Sequence, residues 1–239
     1  MARDRRTADA DRVTSTQGSA GFRVPDGAAE WDERYGDASI WSGQPNGALV
    51  AEVADLGPGR ALDVGCGEGA DAVWLARRGW DVTGVDPSRV ALDRAARHAE
   101  QAGVTVSWVC SGLVGAPLPS GSFDLVSAMY PALRRTPGDD AERALLSLVR
   151  PGGVLLVVHH LAGDAGDGEH GEHGEQHLAF DPADYVMPEQ LAATLNGGWD
   201  VEVNETRARI APASGAGAHH AADVVLRARR RAEQGNSFE

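Results

Sequence analysis

The sequence predicts an α/β fold built on a largely parallel sheet with helices on both faces. Short aliphatic runs alternate with amphipathic segments from Ala61 to His159, the runs are apolar throughout rather than at every second residue, and a glycine-rich turn follows the first of them. The 239 residues, 42% of them apolar, suffice for one sizeable core and are few for two.

Each element follows from its local pattern. Ala61 to Val64 reads as the first strand and Ala70 to Arg78 as the helix after it; Asp81 to Val85 and Ser88 to Ala102 repeat the unit. Thr105 to Val109 is a third strand, Phe123 to Ala128 with Asp139 to Val149 a fourth strand and helix, and Val154 to His159 a fifth strand. A last helix closes at Leu191. Trp199 to Glu205 and Ala221 to Ala228 read as two final strands, and the Gly/Ala/Pro-rich Ile210 to Ala218 between them predicts antiparallel pairing. Ahead of the sheet, Asp26 to Leu56 carries two helical patterns. Trp31 and Tyr35 stand at i, i+4 in the first, Leu49, Val50 and Val53 mark the second, and Gly43-Gln44-Pro45-Asn46-Gly47 separates them. Residues 1–26 mix Arg and Asp without period and read as a disordered N-terminal tail, residues 27–231 as one domain with 27–56 as its helical leading segment, and 232–239 as a C-terminal tail.

Composition excludes several chemistries. All 22 basic residues are arginine, so there is no phosphate-loop or Schiff-base lysine. With 35 carboxylates the formal net charge is -13, a field that repels a polyanion, so no nucleic-acid partner is expected. The two cysteines, Cys66 and Cys110, make no disulfide framework and read as small buried residues of a reduced cytoplasm. The run Val154 to Val158 is far too short to span a bilayer, so a soluble, unexported protein with no membrane partner is expected, monomeric or homodimeric.

The functional signal lies after the first strand, in Leu62-Asp63-Val64-Gly65-Cys66-Gly67-Glu68-Gly69-Ala70-Asp71. Glycines permit positive φ and close approach of a ligand, and the following helix offers its amides. The second strand ends on Asp86, where a Rossmann-like fold places an acid against ribose hydroxyls. Gly65, Gly67 and Ala70 also meet the dinucleotide pattern, which leaves an NAD-dependent oxidoreductase as an alternative. A pyrophosphate would be repelled by Asp63, Glu68 and Asp71, whereas S-adenosylmethionine brings a sulfonium, an ammonium and a ribose without phosphate.

These residues, with Trp41-Ser42-Gly43-Gln44-Pro45-Asn46 and Val149-Arg150-Pro151-Gly152-Gly153, resemble a class I S-adenosylmethionine-dependent methyltransferase, nearest to the bacterial tellurite-resistance-like and thiopurine-methyltransferase-like group. The resemblance spans about Trp31 to Arg230. It implies a Rossmann-like seven-stranded sheet of order 3-2-1-4-5-7-6 with strand 7 antiparallel. It further implies that Asp63, Gly65, Gly67, Gly69 and Asp71 surround the methionine part, that Asp86 grips the ribose, and that Pro87 and Ser88 border the adenine. Cys66, Leu113 and Ala128, at neighbouring strand ends, are further cofactor-binding candidates, and 27–56 becomes a helical lid whose Trp41 covers the cofactor while Trp31 packs. Where such enzymes carry an Asp after the third strand, this chain has Ser111 and Gly112, leaving adenine to backbone amides or the Ser111 hydroxyl.

Acceptors bind beyond the carboxyl ends of the strands, which places Met129, Tyr130 and the pair His159-His160 at the transferred methyl. His160 or His159 is the candidate base, only one of them facing the site by strand alternation, and Tyr130 the candidate wall. With no arginine assignable there, the pattern favours a small thiol, other soft nucleophile or hydroxyl over a phosphorylated acceptor, in detoxification or secondary metabolism. A non-catalytic S-adenosylmethionine sensor is an alternative. So is a metal- or metalloid-handling protein using His170, His173 and His177 in the Gly/His/Glu-rich 163–177 stretch, although that composition reads first as a solvated loop and no metal is assigned.

Overall fold

The computed structural model describes residues 24–161, 181–210 and 221–232. Strands β1 (Arg60–Val64), β2 (Asp81–Asp86), β3 (Ser107–Cys110), β4 (Phe123–Met129) and β5 (Val149–His160) are parallel, and β6 (Trp199–Ala208) and β7 (Ala222–Arg230) complete the sheet. The order is β3-β2-β1-β4-β5-β7-β6, and β7 runs antiparallel to both β5 and β6. Helices α1 (Ala28–Tyr35) and α2 (Gly47–Glu52) precede β1; α3 (Ala70–Arg77), α4 (Arg89–Ala102), α5 (Asp140–Leu148) and α6 (Pro188–Thr194) cover the sheet.

Sheet parity sorts the core. Ala61, Leu125, Val154, Leu156 and Val158 pack on one face with Leu49 of α2, Val73 and Leu75 of α3 and Ala99 of α4. Leu62, Val64, Val126, Leu155 and Val157 pack on the other with Leu145 of α5 and Leu191 of α6. Both faces are dry, which is why the strands carry no polar alternation. α4 starts at Ser88, whose Oγ accepts the Ala91 N–H, and stops at Gly103 in the left-handed region.

Strand β5 begins at Val149 rather than the expected Val154. Within the Arg150-Pro151-Gly152-Gly153 run, Gly153 lies so near β4 that a Cβ would sit 2.8 Å from the Phe123 carbonyl oxygen. Glycine alone admits that approach, and the strand continues through it with a shift of register between Phe123 and Leu125. Val24, expected in the tail, is buried with Tyr185 and Met187, with Trp31 packed against them, so the packed chain reaches back at least to Val24. The remaining tails and the 163–177 stretch lie outside the described residues, as does most of Ile210 to Ala218. Cys66 is buried as expected, whereas Cys110 is exposed because β3 is a short edge strand. Among the described residues no helix is long and apolar enough to cross a membrane.

Candidate functional site

The chain turns from β1 into α3 through Gly65, Gly67 and Gly69, all at positive φ, and the amides of Gly65 and Cys66 bond the Val85 carbonyl of β2 at 2.8 and 3.2 Å. The three glycines have different duties. A Cβ on Gly69 would stand 2.8 Å from the Ala95 Cβ and 2.9 Å from Trp108, so this glycine lets α4 and β3 close against the loop. A Cβ on Gly65 would meet nothing within 4 Å. One on Gly67 would lie 2.8 Å from the Tyr35 hydroxyl and 3.4 Å from the Trp41 indole nitrogen, so the leading segment sits directly over the loop.

Carboxylates ring this turn. Asp86 accepts the Gly67 amide at 2.9 Å on one oxygen and the Ser88 amide at 2.8 Å on the other. Burial pushes its carboxyl above the usual range while those two amides pull it back. Asp71 accepts both the main-chain and the side-chain N–H of Asn46 at 2.7 Å. Asp63 is buried under the turn, and its Oδ2 has no hydrogen-bond partner. Burial first, then the nearby Asp71 charge, raises the Asp63 carboxyl well above the carboxylate range. An orphaned buried carboxylate oxygen beside a second acid is a place for a cation.

Other expected residues are committed elsewhere. Ser88 is fully buried, capping α4 and donating its hydroxyl to Asp32 of α1 at 2.6 Å, so it joins the leading segment to α4. Ala128 is buried among apolar side chains of the α5 face, and Leu113 packs there too; Cys66 points under the turn towards Gly84. Ser111 stays beside Asp86, its amide bonding the Asp86 carbonyl at 3.0 Å, and Gly112 faces open space. Pro87 accepts a contact from the Cys110 thiol at 3.7 Å.

At the ends of β4 and β5 a second cluster forms. Tyr130 is held at φ 51, a left-handed conformation uncommon outside glycine, and its ring stacks on His160 at 4.2 Å. Its hydroxyl donates to Asp223 at 3.0 Å, so burial and that acid push the phenol up and keep it protonated. Arg209 lies over the Tyr130 ring at 4.5 Å with Nη1 2.6 Å from His160 Nδ1. A guanidinium only donates, so this contact requires the neutral imidazole. His159 shares the parity of Leu155 and Val157 and points to the α5 side, away from Tyr130. Arg209, Asp223, Asn46 and Asp32 were not legible as site residues. They come from distant chain segments, and Arg209 overturns the expectation that no arginine stands here.

The methyltransferase-domain family matches residues 61–153, the span from β1 through the glycines that open β5. Those residues match a methyltransferase domain. Ubiquinone biosynthesis O-methyltransferase of Ralstonia nicotianae is 41% identical over 108 residues, 44% of either protein, and the chain spans less than half the length of the curated relatives it matches. Among solved structures the [4+2]-cyclase SpnF superposes with a TM-score of 0.60 at 24% identity, covering 89% of this chain and 99% of that one. TehB of Haemophilus influenzae superposes with a TM-score of 0.55 at 14% identity, covering 85% of this chain and 66% of that one, a likeness of fold. S-adenosylmethionine is the cofactor of this methyltransferase class, and the residues fit it: the orphaned Asp63 oxygen and Asp71 suit an ammonium, Asp86 suits a ribose, and Gly65 leaves room.

Proposed function

We propose that the protein transfers a methyl group from S-adenosylmethionine to a small-molecule acceptor held against Tyr130, His160 and Arg209. The observation that carries this is the buried, partnerless Asp63 oxygen beneath an open Gly65, with Tyr35 and Trp41 over the same turn. Asp63 and Asp71 offset the ammonium, Asp86 holds the ribose, and Ser111 with Gly112 borders the adenine. The bound cofactor supplies an electrophilic methyl on a sulfonium. Tyr35 and Trp41 exclude water from it, and the chain's main task is alignment.

The Tyr130, His160, Arg209 and Asp223 cluster lines the acceptor side. Arg209 occupies the one lone pair of the neutral His160 ring, so His160 takes a proton from a hydroxyl or thiol acceptor only when the acceptor draws Arg209 off Nδ1. Tyr130, kept protonated, orients rather than deprotonates. Arg209 supplies the fork that an anionic group on the acceptor needs, so a phosphorylated or carboxylated acceptor is no longer disfavoured. The net charge of -13 speaks against an RNA acceptor. The test is calorimetric titration with S-adenosylhomocysteine, NAD and NADP, followed by product mass after incubation with labelled cofactor and thiols, phenols or selenium and tellurium oxyanions. Heat with the nucleoside is expected, and Asp86→Ala should weaken it by about 2–4 kcal/mol, the loss of charge-assisted bonds. Heat with a nicotinamide cofactor alone refutes the reading; binding without turnover on any acceptor supports the sensor instead. Among the described residues no three metal-ligating side chains converge, so the metal-handling alternative rests on the 163–177 stretch and is tested by metal analysis with that stretch deleted.

A further inference from the structure

We infer that Arg94 is the positioning residue that latches the Tyr35–Trp41 wall onto the glycine turn and so sets how long a cofactor stays bound; the second half rests on the cofactor site proposed above. Arg94 lies on α4, outside every cofactor motif, and its side chain is 13% exposed. Its guanidinium gathers two pieces of chain that no local pattern joins. Nη1 donates to the carbonyl of Ala38 at 2.9 Å and lies 3.3 Å from that of Tyr35, and Nη2 donates to that of Gly36. These are carbonyls at and just beyond the end of α1, where a helix presents its negative pole. Nη1 also pairs with Glu68 Oε1 of the glycine turn at 2.8 Å.

Glu68 then completes the circuit. Its other oxygen accepts the Trp41 main-chain N–H at 3.3 Å, and the Trp41 indole N–H donates to the Tyr35 hydroxyl at 3.3 Å above Gly67. Further hydrogen bonds hold the wall towards its two ends, by Asp32 on Ser88 and Val90 and by Asn46 on Asp71. Arg94 and Glu68 therefore hold the stretch from Gly36 to Trp41, where α1 has ended and α2 has not begun. The fork geometry matters, since one ammonium cannot span three carbonyls and a carboxylate. With the latch made, two electron-rich rings cover the loop where the sulfonium and ammonium of the cofactor would lie.

Two measurements test this. Hydrogen exchange on the ligand-free protein should show the Trp41 amide exchanging about 10- to 100-fold faster in Arg94→Met, the equivalent of one charge-assisted hydrogen bond, with β1 and β4 amides unchanged. Stopped-flow displacement of S-adenosylhomocysteine should show dissociation faster by a similar factor, with Arg94→Lys intermediate. Unchanged Trp41 exchange overturns the latch. Faster exchange with an unchanged off-rate overturns its hold on the cofactor, and a lower melting temperature with both readouts unchanged means that Arg94 only supports α4. If the wild-type protein fails to bind S-adenosylhomocysteine at all, the cofactor reading and the residence-time claim fall together, while the exchange data alone decide the latch.

Discussion

Gly69 and Gly65 stand four residues apart in one motif, yet replacing them with alanine should produce opposite defects. At Gly69 the backbone is at φ 82, and the added methyl meets Ala95 at 2.8 Å and Trp108 at 2.9 Å. The left-handed conformation costs about 1–2 kcal/mol for a residue with a Cβ, and forcing a methyl into the packed α4 and β3 contact adds about 1–3 kcal/mol. A total of about 2–5 kcal/mol lowers the melting temperature by roughly 4–20 °C for a domain of this size. At Gly65, φ is 68 and nothing lies within 4 Å of the methyl. Only the conformational term of about 1–2 kcal/mol applies there, and the methyl occupies space assigned to the cofactor. Gly65→Ala should therefore lose only about 2–8 °C in melting temperature, less than Gly69→Ala, but bind S-adenosylhomocysteine at least ten-fold more weakly, a factor worth about 1.4 kcal/mol. Thermal melts and calorimetry on the two variants decide the matter. Equal melting losses, or wild-type affinity in Gly65→Ala, would refute this division of labour.

Two further outcomes follow from the acids and the histidine. The folded Asp63 carboxyl is raised by burial above its unfolded value of about 3.9, so its contribution is present at low pH and is lost as pH rises through the folded value. The ligand-free protein should thus lose stability across the mildly acidic range, and Asp63→Asn should flatten that loss, raise the melting temperature at neutral pH and weaken S-adenosylhomocysteine; a lower neutral-pH melting temperature in the variant would contradict the account. His160→Gln should slow turnover only modestly for a soft acceptor and by about 10²–10⁴-fold for a hydroxyl, so its kcat on a thiol and a phenol substrate separates alignment from base catalysis.

The sequence by itself determined the sheet and the cofactor turn. The strands and helices follow from short apolar runs alternating with amphipathic segments, which are local patterns, whereas the strand order came from the resemblance carried by the Gly65 to Gly69 turn and its neighbouring motifs. The acidic character of the turn was equally legible, because Asp63, Glu68, Asp71 and Asp86 lie in or just after it. Tertiary structure alone decided which side chains those acids meet. Asp71 is held by Asn46 and Glu68 by Arg94, while Asp63 keeps an oxygen without a partner, and that difference sets which of them is left for a ligand. The acceptor side shows the same limit. Tyr130 and His160 were readable as strand-end residues, but Asp223 reaches them through the β5 and β7 register and Arg209 from just beyond β6. Such pairings join residues from separate elements, 25 to 93 positions apart. Periodicity carries no information about them, because hydrogen bonds and ion pairs depend on side-chain positions in the folded chain.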